Sequence, residues 1–457
     1  MSPAHPHRRA LTPLAAVGTA LALALSATAC TGSPAGGADD KADDGPGGRT
    51  TITFWHGWSA PSEVRAINAN IARFEKTHPH IKVHSVGGID DDKLNQALRA
   101  GGSRGPDVVS SFETANVGRF CSSGALADLA PFIEKSGLDL AKTFPKPLLE
   151  YTGFEGRRCT MPLLTDAYGL YYNKTAFKDA GIDGPPKTWS EFRAVAKKLT
   201  KPRGDGYERV GFLPNYHGYE NNIEHYLGSW GPRYFDSKGK ASLALDPAVG
   251  NLLRFQQKMV HELGGYEKLE RFRTGLGDEF GAEHPFHTGQ VAMQLDGEWR
   301  LGMALDAKVP FEIGVAPMPV PDEDGIDYGK GFLSGTIMGV SAQSRKQNAA
   351  WELVKFMTTD TEAVVAFAND IRNVPSTFAA LKSPGLKLDP RFKTFLDIAR
   401  NKRSNTAPGT LDGGAYLRTL QDFAYGFEKE RDSSGLVPGL QRTERQIDAD
   451  MAQARRG

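Results

Sequence analysis

Between Thr51 and Phe112 the hydrophobic pattern switches period four times, and no other stretch restricts the fold as much. Thr51-Ile52-Thr53-Phe54-Trp55 alternates and is rich in β-favouring side chains, so it reads as a strand. Val64, Ile67, Ile71 and Phe74 then recur at helical spacing, with Ser62 as the expected N-cap. His78-Pro79 breaks that helix, and Ile81 to Val86 returns to period two. Leu94, Ala97 and Leu98 mark a second helix, Gly101 to Gly105 a turn, and Val108 to Phe112 a third strand. The order β-α-β-α-β implies an α/β fold, a parallel sheet with helices on both faces. Ligands of such sheets bind beyond the carboxyl ends of the strands. That rule selects Trp55, His56 and Trp58 after the first strand, and Phe112 and Glu113 after the third. Two tryptophans astride a glycine in a loop are unusual for core residues.

At 457 residues the chain is too long for one small core, so two or more lobes are expected. A second informative stretch runs from Pro162 to Phe177. Within it Tyr168 to Asn173 is too short for a helix and reads as a buried strand, with Asp166 and Tyr168 at its entrance. A carboxylate accepts from hydroxyls and an aromatic face covers C–H groups, which suits a polar, ring-shaped ligand. Charge is balanced, 55 Lys+Arg against 54 Asp+Glu, which argues against a nucleic-acid partner.

The N-terminus reads as a targeting segment. Arg8 and Arg9 precede an apolar run from Leu14 to Leu25, short for a bilayer span and suited to a signal peptide. Ala27-Thr28-Ala29-Cys30 resembles a bacterial lipobox, with Cys30 as the lipid attachment site. Ala27 stands where such boxes usually carry Leu, so ordinary cleavage and secretion is the alternative. Residues 31–49 hold no aromatic or branched aliphatic side chain and are expected to form a flexible tether. With Cys30 assigned to lipid, Cys121 and Cys159 are an even pair in an oxidising compartment. A bridge between them closes a loop worth roughly 4 kcal/mol on the chain-entropy model. Two free thiols are the alternative.

Several motifs in fixed order resemble one family. Thr-Ile-Thr-Phe-Trp-His-Gly-Trp, Phe74-Glu75-Lys76-Thr77-His78-Pro79, Pro106-Asp107-Val108-Val109 and Gly124-Ala125-Leu126-Ala127-Asp128-Leu129 are similar to the family 1 extracellular solute-binding proteins of ABC importers, the maltose-binding-protein-like group. So are Tyr171-Tyr172-Asn173-Lys174, Pro185-Pro186-Lys187-Thr188-Trp189, and Phe286 to Trp299 with its Gly289, Ala292-Met293 and Gly297. The resemblance runs from about Thr51 to at least Phe378. It implies a two-lobe periplasmic-binding-protein type II fold with hinge crossovers near Pro162–Asp166, Val315–Val320 and Met357–Thr361. The expected partition is a signal peptide over 1–30, a tether over 31–50, lobe 1 over 51–163 and about 318–358, and lobe 2 over 164–317 and about 359–457.

It also implies that ligand contacts fall at Trp230 and His217, at Trp299 through ring stacking, and near Arg372. Gly335 would let the backbone approach a ligand. The full expected site is Trp55, His56, Trp58, Glu113, Asp166, Tyr168, Trp230, Trp299, Gly335 and Arg372. The expected ligand is a small carbohydrate, handed to ABC permease subunits by a monomer anchored on the outer face of the cell membrane. No cofactor, no metal and no catalysis are expected. Asp296 and Glu298 resemble a catalytic pair, but side chains two apart on a turn diverge, whereas a retaining glycosidase needs carboxyls about 5 Å apart across the substrate. His284 and His287 lack a third metal ligand. The alternatives from other classes are a secreted glycoside hydrolase and a surface lipoprotein without a transport role.

Overall fold

Ile52 and Phe54 point inward from β1 (Thr50–Trp55), so the alternation in sequence is the burial pattern of the strand. The computed structural model describes residues 49–100, 105–215, 217–323 and 328–456. The signal segment, Cys30 and nearly all of the tether lie outside the described residues. Nine further strands follow: β2 (Ile81–Val86), β3 (Val108–Ser111), β4 (Met161–Asn173), β5 (Lys201–Arg203), β6 (Gly206–Phe212), β7 (Val291–Gly297), β8 (Ile313–Ala316), β9 (Leu333–Val340) and β10 (Val374–Pro375). They join in the order β2-β1-β3-β9-β4-β7-β6-β5, with β8 and β10 also paired to β4. The parallel arrangement expected from the first hundred residues holds for β2, β1 and β3. Beyond them β9 enters antiparallel to both β3 and β4, and β7 antiparallel to β4, so the sheet is mixed.

The first helix runs Pro61–Thr77 and is capped by Ala60, not by Ser62. Pro61 loses nothing at the first helical position, where its missing N–H has no partner in any case. Glu63 then accepts from the Ala60 N–H at 3.2 Å. Ile67, Ile71 and Phe74 form the buried stripe, together with Ala66 and Asn70.

Strand β4 is the organising element. Its first half, Met161 to Ala167, pairs with β9, and its second half, Tyr168 to Asn173, pairs with β7 and β8. One strand thus belongs to two half-sheets, and each half-sheet carries its own core. Ile52, Phe54, Phe74, Val108, Met161 and Met338 pack on one side of the exchange. Leu170, Phe192, Phe212, Met293 and Leu295 pack on the other, joined by Leu420, Phe427 and Leu436 from the C-terminal helices Ala415–Phe427 and Leu436–Ala454.

The partner exchange falls between Ala167 and Tyr168, rather than at 163/164. The return crossing lies past Val320, because the Trp189 N–H donates to the Val320 carbonyl at 3.1 Å and keeps that residue in lobe 2. Helix Thr361–Ile371 stays with lobe 1: Phe367 joins the lobe 1 core and Arg73 pairs with Asp370 at 2.8 Å. Lobe 1 therefore extends beyond residue 358 to the end of that helix. Cys121 and Cys159 are bridged, with Cα atoms 5.4 Å apart, which ties helix Val117–Ser123 to the segment entering β4. No helix of the described residues is long and apolar enough to cross a membrane.

Candidate functional site

Where β4 changes partners, the backbone N–H of Ala167 turns to a side chain. The buried carboxylate of Glu298 takes it, accepting at 2.9 Å. The Tyr171 hydroxyl, from the same strand, donates to the Gly297 carbonyl at 2.9 Å and accepts from the Leu301 N–H at 3.1 Å. Those bonds pin the turn after β7, and the turn presents Trp299. Gly297 is required there, since a Cβ would lie 2.2 Å from the Trp299 ring.

A buried ionic network fixes the same indole from below. Arg300 Nε donates to Asp296 at 2.7 Å, while Nη2 reaches Glu220 at 3.3 Å and the Glu279 carbonyl at 2.8 Å. Glu220 also accepts from Trp299 Nε1 at 3.1 Å. The Glu279 carboxylate accepts from the backbone N–H groups of Tyr219 and Glu220, at 2.9 and 3.0 Å. Burial and the neighbouring Asp296 and Glu279 push the Glu220 carboxyl up, and Arg300 opposes that shift. Asp296 and Glu298 are both fully buried, and each puts one oxygen into these structural bonds, so they do not face solvent as a pair.

The network holds an aromatic surface. Trp299 meets Tyr168 edge-on at 5.5 Å and Tyr219 at 6.2 Å, and Tyr219 meets Phe280 at 6.1 Å. Tyr168 is buried and stacks on His225 at 3.9 Å, which backs the surface. Tyr219 is 43% exposed and Phe280 is also exposed, while Trp299 is half-buried. On the lobe 1 side Phe112 is exposed after β3, followed by Glu113, whose carboxylate accepts from the Ala115 N–H at 3.2 Å. Water reaches Glu113, yet desolvation by the surrounding protein raises its carboxyl, as does nearby Asp91. The Tyr219 phenol is exposed and also raised by desolvation, with Asp166 and Glu113 adding to the shift. Asp166 on β4 and Glu113 of lobe 1 both lie within Coulombic reach of the Tyr219 phenol in lobe 2. Asp166 is buried and raised by desolvation, with Asn373 Nδ2 at 3.4 Å.

Several expected site residues are elsewhere. Trp58 is 4% exposed and packs edge-on against Phe112 and Phe367, so it belongs to the lobe 1 core. His56 is buried, faces Ser85 Oγ at 2.9 Å and is lowered to about 4 by desolvation, so it stays neutral inside the lobe. Trp230 stacks on Trp189 at 5.9 Å and packs against the lobe 2 core. His217 stacks on Tyr425 at 4.0 Å and pairs with buried Glu428 at 2.9 Å. Gly335 answers to the sheet and not to a ligand, because a Cβ there would lie 2.2 Å from the Leu164 carbonyl oxygen and 2.7 Å from the Tyr151 hydroxyl. Arg372, in the left-handed region at φ 58, pairs with Asp306 at 3.0 Å across the lobe boundary. Trp55 is half-buried at the end of β1. Glu113, Asp166, Tyr168 and Trp299 are the expected residues that the fold does bring together. Tyr219, Phe280, Glu220, Glu279 and Arg300 were not anticipated, although Tyr219 sits beside Gly218 in a polar, aromatic loop of the kind that carries contacts. His284 and His287 are buried and lowered to about 2 and about 4 by desolvation. Among the described residues no group of three or more His, Cys, Asp or Glu is arranged to hold a metal ion.

Residues 60–364 match the family model for bacterial extracellular solute-binding proteins. The maltotriose-binding protein of Pyrococcus abyssi is 24% identical over 347 residues, 75% of this chain and 70% of that protein. The sn-glycerol-3-phosphate-binding periplasmic protein of Brucella abortus is 25% identical over 277 residues, 59% of this chain and 62% of that protein. The sugar-binding protein MalE from Xanthomonas citri superposes with a TM-score of 0.74 at 22% identity, covering 89% of this chain and 98% of that one. That likeness extends the two-lobe fold through the C-terminal helices, past the end of the family match. With more than half of its length matched, the chain belongs to the bacterial extracellular solute-binding protein family.

Proposed function

We propose that this chain is the substrate-binding component of an ABC importer and that it captures a carbohydrate between its lobes. The observation that carries the reading is the Tyr219–Trp299 surface: two neighbouring rings, one exposed and one half-buried, both held by a buried ionic network. Aromatic faces cover the C–H side of a sugar ring, and the carboxylates of Glu113 and Asp166 accept from its hydroxyls. Closure is favoured by ligand because only the closed form lets Glu113 and Tyr219 touch one guest together. The maltotriose-binding relative supports a sugar. The glycerol-phosphate relative raises an anionic alternative, which the charge around Tyr219 disfavours: Asp166 and Glu113 both act on its phenol, and Arg418 acts on Glu113. In this reading Cys30 carries the lipid anchor, the protein works on the outer face of the membrane, and no bond of the guest is made or broken.

The test is a thermal-shift screen of the purified chain against mono- and oligosaccharides and glycerol 3-phosphate. A sugar at about a hundred times its Kd should stabilise the fold by roughly 2.7 kcal/mol. Tyr219→Ala should weaken that sugar about tenfold or more while leaving the circular dichroism unchanged. Release of shortened products during incubation would instead identify a glycoside hydrolase.

A further inference from the structure

We propose that residues 406–414 form a strap, carried by lobe 2, that docks on helix Val117–Ser123 of lobe 1 and latches the lobes together without a guest. The strap leaves the crossing between the lobes at Asn405, whose carbonyl accepts from the Leu333 N–H at 2.8 Å. Asn405 Nδ2 then ties it to lobe 2, donating to the Gly228 carbonyl of helix Ile223–Trp230 at 2.7 Å. At the other end Tyr416 lies in the lobe 2 core and donates its hydroxyl to the Pro408 carbonyl at 2.9 Å. Within the strap the Gly414 N–H donates to the Thr410 hydroxyl at 3.1 Å, and that hydroxyl bonds the Asp412 carboxylate. The helix it meets belongs to lobe 1. The Cys121–Cys159 bridge ties that helix to the segment entering β4, and Val117 and Phe120 share a core with Val109 of β3.

The contact is close and made mostly of backbone. A Cβ on Gly118 would lie 2.2 Å from the Thr410 carbonyl oxygen, and one on Gly414 2.3 Å from the Ala115 Cβ. Arg119 Nη2 donates to the Asp412 carbonyl at 2.6 Å, and Gly413 leaves room for that guanidinium, since a Cβ there would lie 2.6 Å from Nη2. Glycines, polar groups and one alanine meet here, so little apolar area holds the two sides together. Asp412 Oδ2 is buried without a hydrogen-bond partner. Such an oxygen regains water when the strap lifts, which lowers the cost of release. A tight fit with little to cement it suits a latch and not a core. Docked, the strap also braces the turn Thr114–Asn116 that follows Glu113. A guest then meets lobes already close, whereas with the strap lifted the guest must supply the closure and binds less tightly.

Small-angle scattering of the ligand-free chain tests the latch. The wild-type profile should fit the docked structure. Alanine ordinarily favours a helix, but in Gly118→Ala the new Cβ meets a backbone oxygen that cannot swing aside, so the strap cannot dock. That variant should show a larger radius of gyration with unchanged circular dichroism. Arg119→Ala loses only the bond to Asp412 and should shift the radius in the same direction by less. Gly426→Ala, on helix Ala415–Phe427 with open space around its Cβ, should leave it unchanged. Folded Gly118→Ala at the wild-type radius, or a wild-type profile that fits separated lobes, would overturn the latch. Should Gly118→Ala not fold, Arg119→Ala decides, and a wild-type radius there overturns it. No sugar enters the measurement, so either result leaves the carbohydrate reading where it stands.

Discussion

Trp58 and Trp299 occupy similar positions in sequence, each just past the end of a strand and within two residues of a glycine, yet the two lobes use them oppositely. Lobe 1 turns Trp58 inward against Phe112 and Phe367, and its exposed aromatic at the cleft is Phe112. Lobe 2 keeps Trp299 at the cleft and anchors the indole N–H on Glu220, which a buried arginine holds. What separates the two is the surface behind the ring. Apolar neighbours draw a tryptophan into a core, whereas a fixed acceptor for its N–H holds it at a boundary between protein and solvent.

The largest effect should come from the core member of the pair. Trp58→Ala should cost about 3–5 kcal/mol of stability, measured by urea denaturation, with the affinity of the remaining folded protein unchanged. An affinity loss exceeding the loss of folded protein would return Trp58 to the cleft. Arg300→Met tests the support under Trp299. Removing the guanidinium leaves Asp296 buried without its counter-charge and Glu220 without one of its donors, and about 3 kcal/mol of stability should go with it. Ligand affinity should fall too, because Trp299 and the Tyr219 loop lose their common anchor. If affinity survives in the folded fraction, the network is structural and does not position the rings.

Trp299→Ala should do the reverse of Trp58→Ala: a stability loss of about 1–2 kcal/mol, and binding weaker by tenfold or more, read by titration. The last effect concerns pH. Glu224 is raised from 4.5 to about 7 by desolvation, so the folded chain keeps a proton that the unfolded chain releases. Its contribution is present below the unfolded value and is lost as pH rises from 4.5 to about 7. Glu224→Gln should flatten that part of the urea-midpoint curve, and an unchanged slope would show that Glu224 titrates normally.

Much of the architecture was legible from local pattern. Strand alternation at Ile52 and Phe54, the helical stripe of Ile67, Ile71 and Phe74, and the buried run from Tyr168 are one-dimensional signals that folding preserves. Asp166, Tyr168 and Trp299 could be picked out because they border such signals. The hinge was harder to read. Its position depends on which strand each half of β4 pairs with, and neither β9 nor β7 is near it in sequence. Residue 358 looked like a boundary because one helix ends there, but the next helix packs back on Pro61–Thr77 through Phe367 and Asp370.

The amino-acid sequence by itself determined the family and the α/β class, since these follow from the order of short-range patterns. Tertiary structure alone decided which aromatics stay at the surface. Tyr219 and Phe280 are exposed on loops whose path is fixed by Glu279 and Arg300, partners tens of residues distant, while Trp58 and His56 are taken into a core by neighbours equally remote. Exposure is set by what packs behind a residue, and that information is not local to it.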